Sequence, residues 1–199
     1  MTDGREWIAD RFGADRCARV AAFLDRVVAE SANQNLVAPS TLTTIWERHA
    51  LDSAQLLAFD RPGTWVDIGT GGGFPGFVVA LLRDDPVVLV EPRKRRAAFL
   101  EESAQAMGCS HVTVAAAKVE HVEHRAAVIS ARAVALVPAL LKSAQHLAHA
   151  GTRWVLPRGQ SGRTELAALR GAWHGMFHVE HSLSDPDATI LILDKVRPK

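Results

Sequence analysis

Cysteine is scarce in this chain. Cys17 and Cys109 are the two present, they stand far apart, and no Cys-x-x-Cys pair exists. Neither a disulfide framework nor a cysteine zinc site is expected from them. An excess of one charge sign is also missing: 23 Lys and Arg against 22 Asp and Glu leave a formal net charge of +1. That excludes a uniformly basic surface, so any binding of nucleic acid rests on local patches. No apolar run approaches the roughly 18 residues needed to span a bilayer, so no membrane partner is expected. Met1 to Asp10 carries acids and a Trp and has no secretory apolar stretch, which points to a cytoplasmic protein. No long linker, repeat array or low-complexity tract interrupts the chain. What remains is ordinary globular composition, 48% apolar and 23% charged over 199 residues. That length suits one domain, or one domain with an added helical lobe.

The first sixty residues read as helical. Arg16 to Ser31 places Val20, Phe23, Leu24, Val27 and Val28 on one helical face. Pro39 marks a break, and Thr41 to Phe59 predicts a second helix. At Arg61-Pro62-Gly63 the periodicity changes. Short β-type runs at 64–68, 87–90, 112–116, 127–130 and 153–156 alternate with helical stretches at 75–83, 93–107, 136–148 and 161–172. Two last strands, 176–180 and 189–194, are joined by the turn signal Ser184-Asp185-Pro186-Asp187. Alternating β and α elements predict a mostly parallel seven-stranded sheet with helices on both faces. The link between the last two strands is too short for a helical crossover, so they should close the sheet as an antiparallel hairpin. This is the outline of the class I methyltransferase, or Rossmann-like, α/β fold. The expected division is an N-terminal helical lobe at 1–60 and one cofactor-binding unit at 61–199.

The sharpest local feature is Asp67-Ile68-Gly69-Thr70-Gly71-Gly72-Gly73-Phe74-Pro75-Gly76, which follows a strand and opens a helix. Glycines there permit positive φ and close approach of a ligand to the backbone. In such sheets ligands bind at the carboxyl ends of the strands. Glu91 ends the next strand, 22 residues after Gly69, where its carboxylate can accept hydrogen bonds from both hydroxyls of a ribose. Two readings compete. Gly71 to Gly76 fits the GxGxxG dinucleotide pattern, with an acid about 20 positions on. Asp67-x-Gly69-x-Gly71-x-Gly73 fits the acid-first turn of S-adenosylmethionine enzymes. Asp67 favours the second, since it would repel a pyrophosphate but can accept from the turn's own amides or from the cofactor's ammonium group.

Other residues invite a role. Arg93-Lys94-Arg95-Arg96 is the densest basic run and can meet RNA phosphates at the start of a helix. Cations at a helix N-terminus oppose its dipole, which hints at a functional reason. Arg48 and His49, with Asp52 a turn later, can form a polar network facing the site or an ordinary surface cluster. His121-Val122-Glu123-His124 and its echo His178-Val179-Glu180-His181 have chelating types, but they fall at strand ends or loops and lack the HExxH order. No metal is expected. The five tryptophans are dispersed and suit packing better than a base-stacking platform.

Taken together, these motifs resemble those of the bacterial 16S rRNA guanine-N7 methyltransferases, the RsmG or glucose-inhibited division protein B family. Asn35-Leu36 with Arg48-His49-x-Leu51-Asp52-Ser53 is similar to the family's N-terminal signature. Asp67 to Gly76 is similar to its cofactor loop, Pro-Gly included, and Glu91-Pro92 with Arg95-Arg96 and Phe99-Leu100 to its second motif. Val119-Glu120 resembles the adenine-side segment. Ser130-Ala131-Arg132-Ala133 is similar to a Ser-Arg-Ala motif with one residue inserted, and Arg158-Gly159 stands where the family often has Lys-Gly.

The resemblance implies S-adenosyl-L-methionine as cofactor, with contacts at Gly69, Phe74, Val119, Glu120 and Arg132, to which the glycine turn and the end of the next strand add Asp67, Gly71, Gly73 and Glu91. It implies methyl transfer to N7 of a guanine in the decoding-region loop of 16S rRNA. The partner is then 16S rRNA or the small ribosomal subunit, met by Arg48, His49, Arg93 to Arg96 and Arg158, with the chain expected to act as a monomer. Guanine N7 carries a lone pair and no proton, so alignment can replace a general base. Arg132 is the candidate catalytic residue, positioning cofactor, guanine or phosphate. A NAD-dependent oxidoreductase and a non-catalytic ribosome-associated nucleotide-binding module are the competing functional readings.

Overall fold

The run Trp65-Val66-Asp67-Ile68 forms strand β1 (Trp65–Ile68), and all four residues are buried, as a strand covered on both faces requires. The computed structural model describes residues 3–160 and 162–199. Parallel to β1 run β2 (Val87–Val90), β3 (Val112–Ala115), β4 (Val128–Ser130) and β5 (Arg153–Arg158). Strands β6 (Trp173–His181) and β7 (Thr189–Pro198) pair antiparallel, and β7 also pairs antiparallel with β5. The order is β3-β2-β1-β4-β5-β7-β6, so the seven-stranded sheet with its closing hairpin is as the alternation of elements predicts. The direction of winding reverses between β1 and β4, and a crevice opens there at the carboxyl ends of the strands.

Helices cover both faces, and the alternation of side chains along each strand decides which face a residue serves. Trp65, Val87, Leu89, Val128 and Val155 join one apolar cluster with α2 (Ala14–Glu30), α4 (Gly76–Leu82) and α5 (Lys94–Ala106). Val66, Ile68, Val88, Ile129 and Trp154 join the other, against α6 (Val137–Ala144) and α7 (Gly162–Ala172). Ser161, read from the sequence as the first residue of that last helix, lies outside the described residues. In α2 the ring of Phe23 stacks on Phe77 of α4, with centroids 4.3 Å apart. Burial of such a side chain contributes about 1.5–3 kcal/mol, which fastens the N-terminal segment to the sheet layer. Val28, assigned to the same apolar face, is 44% exposed instead.

The stretch read as one helix from Thr41 to Phe59 is broken into short turns. A 3₁₀ turn (Pro39–Thr44), a π turn (Trp46–Leu51), α3 (Asp52–Ala54) and another 3₁₀ turn (Gln55–Phe59) follow one another; α1 (Gly4–Phe12) opens the chain ahead of α2. Apolar periodicity marks the buried side of this stretch but does not report the pitch. The π turn carries Arg48 and His49 at the crevice, where such irregular turns often sit.

Candidate active site

The glycine turn leaves β1 with Gly69, Gly71 and Gly73 at φ of 67°, 59° and 98°. At Gly73 a Cβ would also meet Phe23 Cζ at 2.6 Å, so both backbone conformation and packing demand glycine. Beneath the turn lies Asp67, fully buried. Its Oδ2 accepts from the Gly76 amide at 2.8 Å, and its Oδ1 accepts from the Ser130 hydroxyl at 2.6 Å. Ser130 stands opposite Asp67 in the β1–β4 register and in turn accepts from Trp65 Nε1 at 2.7 Å. Of the two roles open to Asp67, this geometry is the first: it holds the turn from within. Burial pushes its carboxyl up to about 6, against the pull of the Ser130 and Gly76 hydrogen bonds.

Glu91 closes the floor at the end of β2. Its Oε2 accepts from the Gly71 amide at 3.0 Å and its Oε1 from the Arg93 amide at 2.8 Å. One carboxylate thus ties the glycine turn to the start of α5. Each oxygen keeps a further acceptor site, so the same group can receive two ribose hydroxyls. Val119 joins the same apolar cluster as Val90 and lies beyond β3, in a 3₁₀ turn (Val119–His121) that also carries the exposed Glu120. A positive-φ cradle at the carboxyl end of β1, with an acid at the end of β2, fits the ribose and amino-acid parts of S-adenosylmethionine.

Beyond β4, Arg132 is gripped on several sides. Its Nη1 donates to Asp52 Oδ2 at 2.9 Å and to the Arg48 carbonyl at 3.3 Å, and its Nη2 to His49 Nδ1 at 3.0 Å. Its guanidinium also lies over the Phe74 ring, 5.6 Å from the centroid. A guanidinium only donates, so His49 Nδ1 is an acceptor and carries no proton. The other nitrogen, Nε2, then donates to Thr41 Oγ1 at 2.8 Å, since that hydroxyl spends its own proton on the Ala38 carbonyl. Burial, reinforced by the Arg132 charge, lowers the imidazole to about 4. His49 is therefore a neutral imidazole at physiological pH.

Arg132, His49 and Asp52 line a cavity of about 640 Å³ that continues past Pro157 and Arg158 to the β6–β7 turn. That turn is tied to the helical segment by four links, one of them from Gln55 Nε2 to Ser182 Oγ at 3.0 Å. Ser184 Oγ donates to Asp52 Oδ1 at 2.8 Å, Arg48 pairs with Asp185 at 2.7 Å, and Gln55 Oε1 accepts from the Leu183 amide at 2.7 Å. The sequence marks residues 184–187 as a turn but carries no sign that they meet the site. No local spacing carries that signal, because the partners lie more than 120 positions apart.

The basic residues divide by location. Arg93 and Lys94 are exposed. Arg95 and Arg96 donate to the carbonyls of Asn33 and Asn35, at 3.3 and 2.6 Å, and so bind the N-terminal segment to α5. Arg158 is 8% exposed and donates to the carbonyls of Ala131, Pro157 and Ala135, with the Glu165 carboxylate 3.6 Å from its Nε. Burial lowers its pKa, against the effect of Glu165. Its visible work is to hold the loop after β4. Among the described residues no group of three His, Cys, Asp or Glu is placed to hold a metal ion, and no helix is long and apolar enough to cross a membrane.

The sheet order, the hairpin and the glycine turn at the switch point define a class I methyltransferase fold. Solved structures agree: the O-methyltransferase from Bacillus cereus, in complex with SAH, aligns over 96% of both chains at a TM-score of 0.62 and 14% identity. TrmN from Thermus thermophilus aligns over 86% of this chain and 52% of its own at 0.58, with 21% identity. The chain belongs to the rRNA small subunit methyltransferase G family, whose model matches residues 16–184. It is 43% identical to ribosomal RNA small subunit methyltransferase G of Sphingopyxis alaskensis, over 98% of this chain and 87% of the relative. The namesake from Novosphingobium aromaticivorans is 42% identical over 96% and 86%. Membership makes the chain an rRNA methyltransferase, with S-adenosylmethionine as its methyl donor.

Proposed function

We propose that this chain methylates N7 of a guanine in the decoding-region loop of 16S rRNA, acting as a cytoplasmic monomer. The observation that carries the reading is the cavity bordered by Arg132 and Val134, two residues that lie against Phe74 and Gly69 of the glycine turn. When bound, S-adenosylmethionine supplies an electrophilic methyl group on a sulfonium. Gly69, Gly71, Gly73 and Glu91 hold it, with Val119 and Glu120 at its adenine side. The guanine enters the cavity, where a guanidinium matches its O6 or a neighbouring phosphate and leaves the N7 lone pair free to react.

N7 has a lone pair and no proton, so the chain needs no general base. This suits the site: the imidazole nearest Arg132 has its Nδ1 lone pair already engaged and is not free to take a proton. What the residues contribute is alignment and exclusion of water, which together can account for a large part of the rate. The test is to incubate the protein with labelled S-adenosylmethionine and small subunits lacking the modification, then map the labelled nucleotide. One guanine labelled at N7 supports the reading. Label on another atom or another RNA overturns it, as does stabilisation of the fold by NAD and not by S-adenosylhomocysteine.

A further inference from the structure

The loop after β4 departs from local sequence preferences at successive positions. Ala133 holds a φ of 55°, a left-handed conformation that residues with a Cβ seldom adopt. Val134 is 43% exposed and Leu136 is 67% exposed. Leu136 is also the N-cap of α6, where Ser, Thr, Asp or Asn would accept an amide proton, and it makes no side-chain cap bond. The Val137 amide donates instead to Glu165 Oε2 at 3.0 Å. Five large apolar side chains are exposed among the described residues; two lie in this loop, and a third, Leu183, sits between the cavity-lining Ser182 and Ser184. That clustering departs from the scattered single exposures a surface ordinarily carries.

The loop is held firmly. Arg158 donates from Nη1 to the Ala131 carbonyl at 3.2 Å and from Nη2 to the Ala135 carbonyl at 3.4 Å. Val134 lies against the cofactor turn, since a Cβ on Gly69 would meet its Cγ2 at 2.5 Å. The result is a fixed apolar tip beside the cavity, next to Arg132 and near the half-exposed Arg48. Departures from local rules of this kind concentrate at functional sites.

We propose that Val134 and Leu136 form a wedge that enters the RNA stack and fills the gap left when the target guanosine turns into the cavity. The proposal rests on the rRNA-methylation reading and adds how the base is reached. The reacting base has to enter the cavity beside the cofactor turn, and loop bases can be splayed out to do so. The base must therefore leave its stack before the reaction. Aliphatic side chains can take its place between neighbouring bases, as they do where proteins unstack duplex steps. The surface thus fits the two bases that flank the target, with Arg48 and Arg132 placed to meet the phosphates beside them.

Leu136→Ser and Leu136→Met test this, because the side chain is exposed and either variant should fold. The measurements are single-turnover methyl transfer to small subunits lacking the modification, and chemical reactivity of the flanking bases in the complex with S-adenosylhomocysteine. Calorimetric affinity for S-adenosylhomocysteine serves as the control. Leu136→Ser should slow transfer by about tenfold, the scale of one lost base-stacking contact. It should return the flanking bases to the reactivity of free subunits and leave cofactor affinity unchanged. Leu136→Met should restore both. Transfer at the wild-type rate in Leu136→Ser, or equal losses in both variants, overturns the wedge. If the unmodified protein transfers no methyl group to the subunits, the rRNA reading itself fails and the wedge falls with it.

Discussion

The two halves of the crevice are built in different ways. The half we assign to the cofactor is nearly contiguous: residues 67–76 form most of it, with Glu91 reaching over from the next strand and Val119 and Glu120 at its far edge. Its geometry comes from backbone conformations that only glycine adopts easily, locked by a buried acid. The half we assign to the substrate is assembled from distant pieces. Arg132 meets Asp52 across 80 positions, and Asp52 meets Ser184 across 132. Its geometry comes from side chains that exist as a group only after the sheet has formed. The contrast teaches that damage to the first half should be felt as lost fold or lost cofactor, and damage to the second as lost substrate.

The largest expected effect tests the backbone half. Gly73→Ala must adopt φ of 98° and place a methyl group 2.6 Å from the Phe23 ring. Unfavourable φ and overpacking together should destabilise by about 2–4 kcal/mol. Urea unfolding would measure it, and a change under about 0.5 kcal/mol would mean that the turn is plastic.

A middling effect separates the halves by pH. His49 takes a proton near 6.5 when unfolded but only near 4 in the fold, so the unfolded chain binds more protons between those values. Its contribution to stability is therefore lost as pH falls from 6.5 toward 4. Asp67 acts in the opposite sense, with 3.8 unfolded and about 6 folded, so its contribution is lost as pH rises through that window. Acidification from pH 6.5 to 4 should accordingly cost the wild type more than His49→Gln, and favour it relative to Asp67→Asn. Thermal melts of the three proteins at several pH values would show both differences.

The smallest effect lies outside both halves. Arg93→Ala, at an exposed cation, should reduce RNA affinity a few-fold and lower the salt slope by about one, leaving cofactor affinity unchanged. An unaltered slope would make Arg93 solvated surface.

The same contrast explains what was legible in the sequence. Strand positions were readable to within a few residues, because β1 and β2 are covered on both faces and so form short apolar runs. The glycine turn and Glu91 were readable because their spacing is local. Arg48, His49 and Asp52 were visible as a polar cluster, but their convergence on Arg132 was not. Neither was the link from Asp52 to the β6–β7 turn. The resemblance implies Arg158 as an RNA contact, yet its side chain, at the end of β5, donates to three carbonyls. Nothing in spacing distinguishes an arginine that faces a ligand from one that ties a loop.

The division of labour is tested most directly by one crossed binding experiment. Glu91→Ala and Arg132→Ala are each titrated with S-adenosylhomocysteine and with small subunits lacking the modification. Glu91→Ala removes acceptors for the ribose and the anchor of Gly71, and should lower cofactor affinity by about tenfold or more. Its subunit affinity should stay near wild type. Arg132→Ala should show the reverse, a clear loss for the subunit and cofactor affinity within about threefold, a difference of under 1 kcal/mol. Retained cofactor binding also shows that this variant is folded. If Arg132→Ala loses the cofactor as severely as Glu91→Ala, the two halves are one site and the account is wrong.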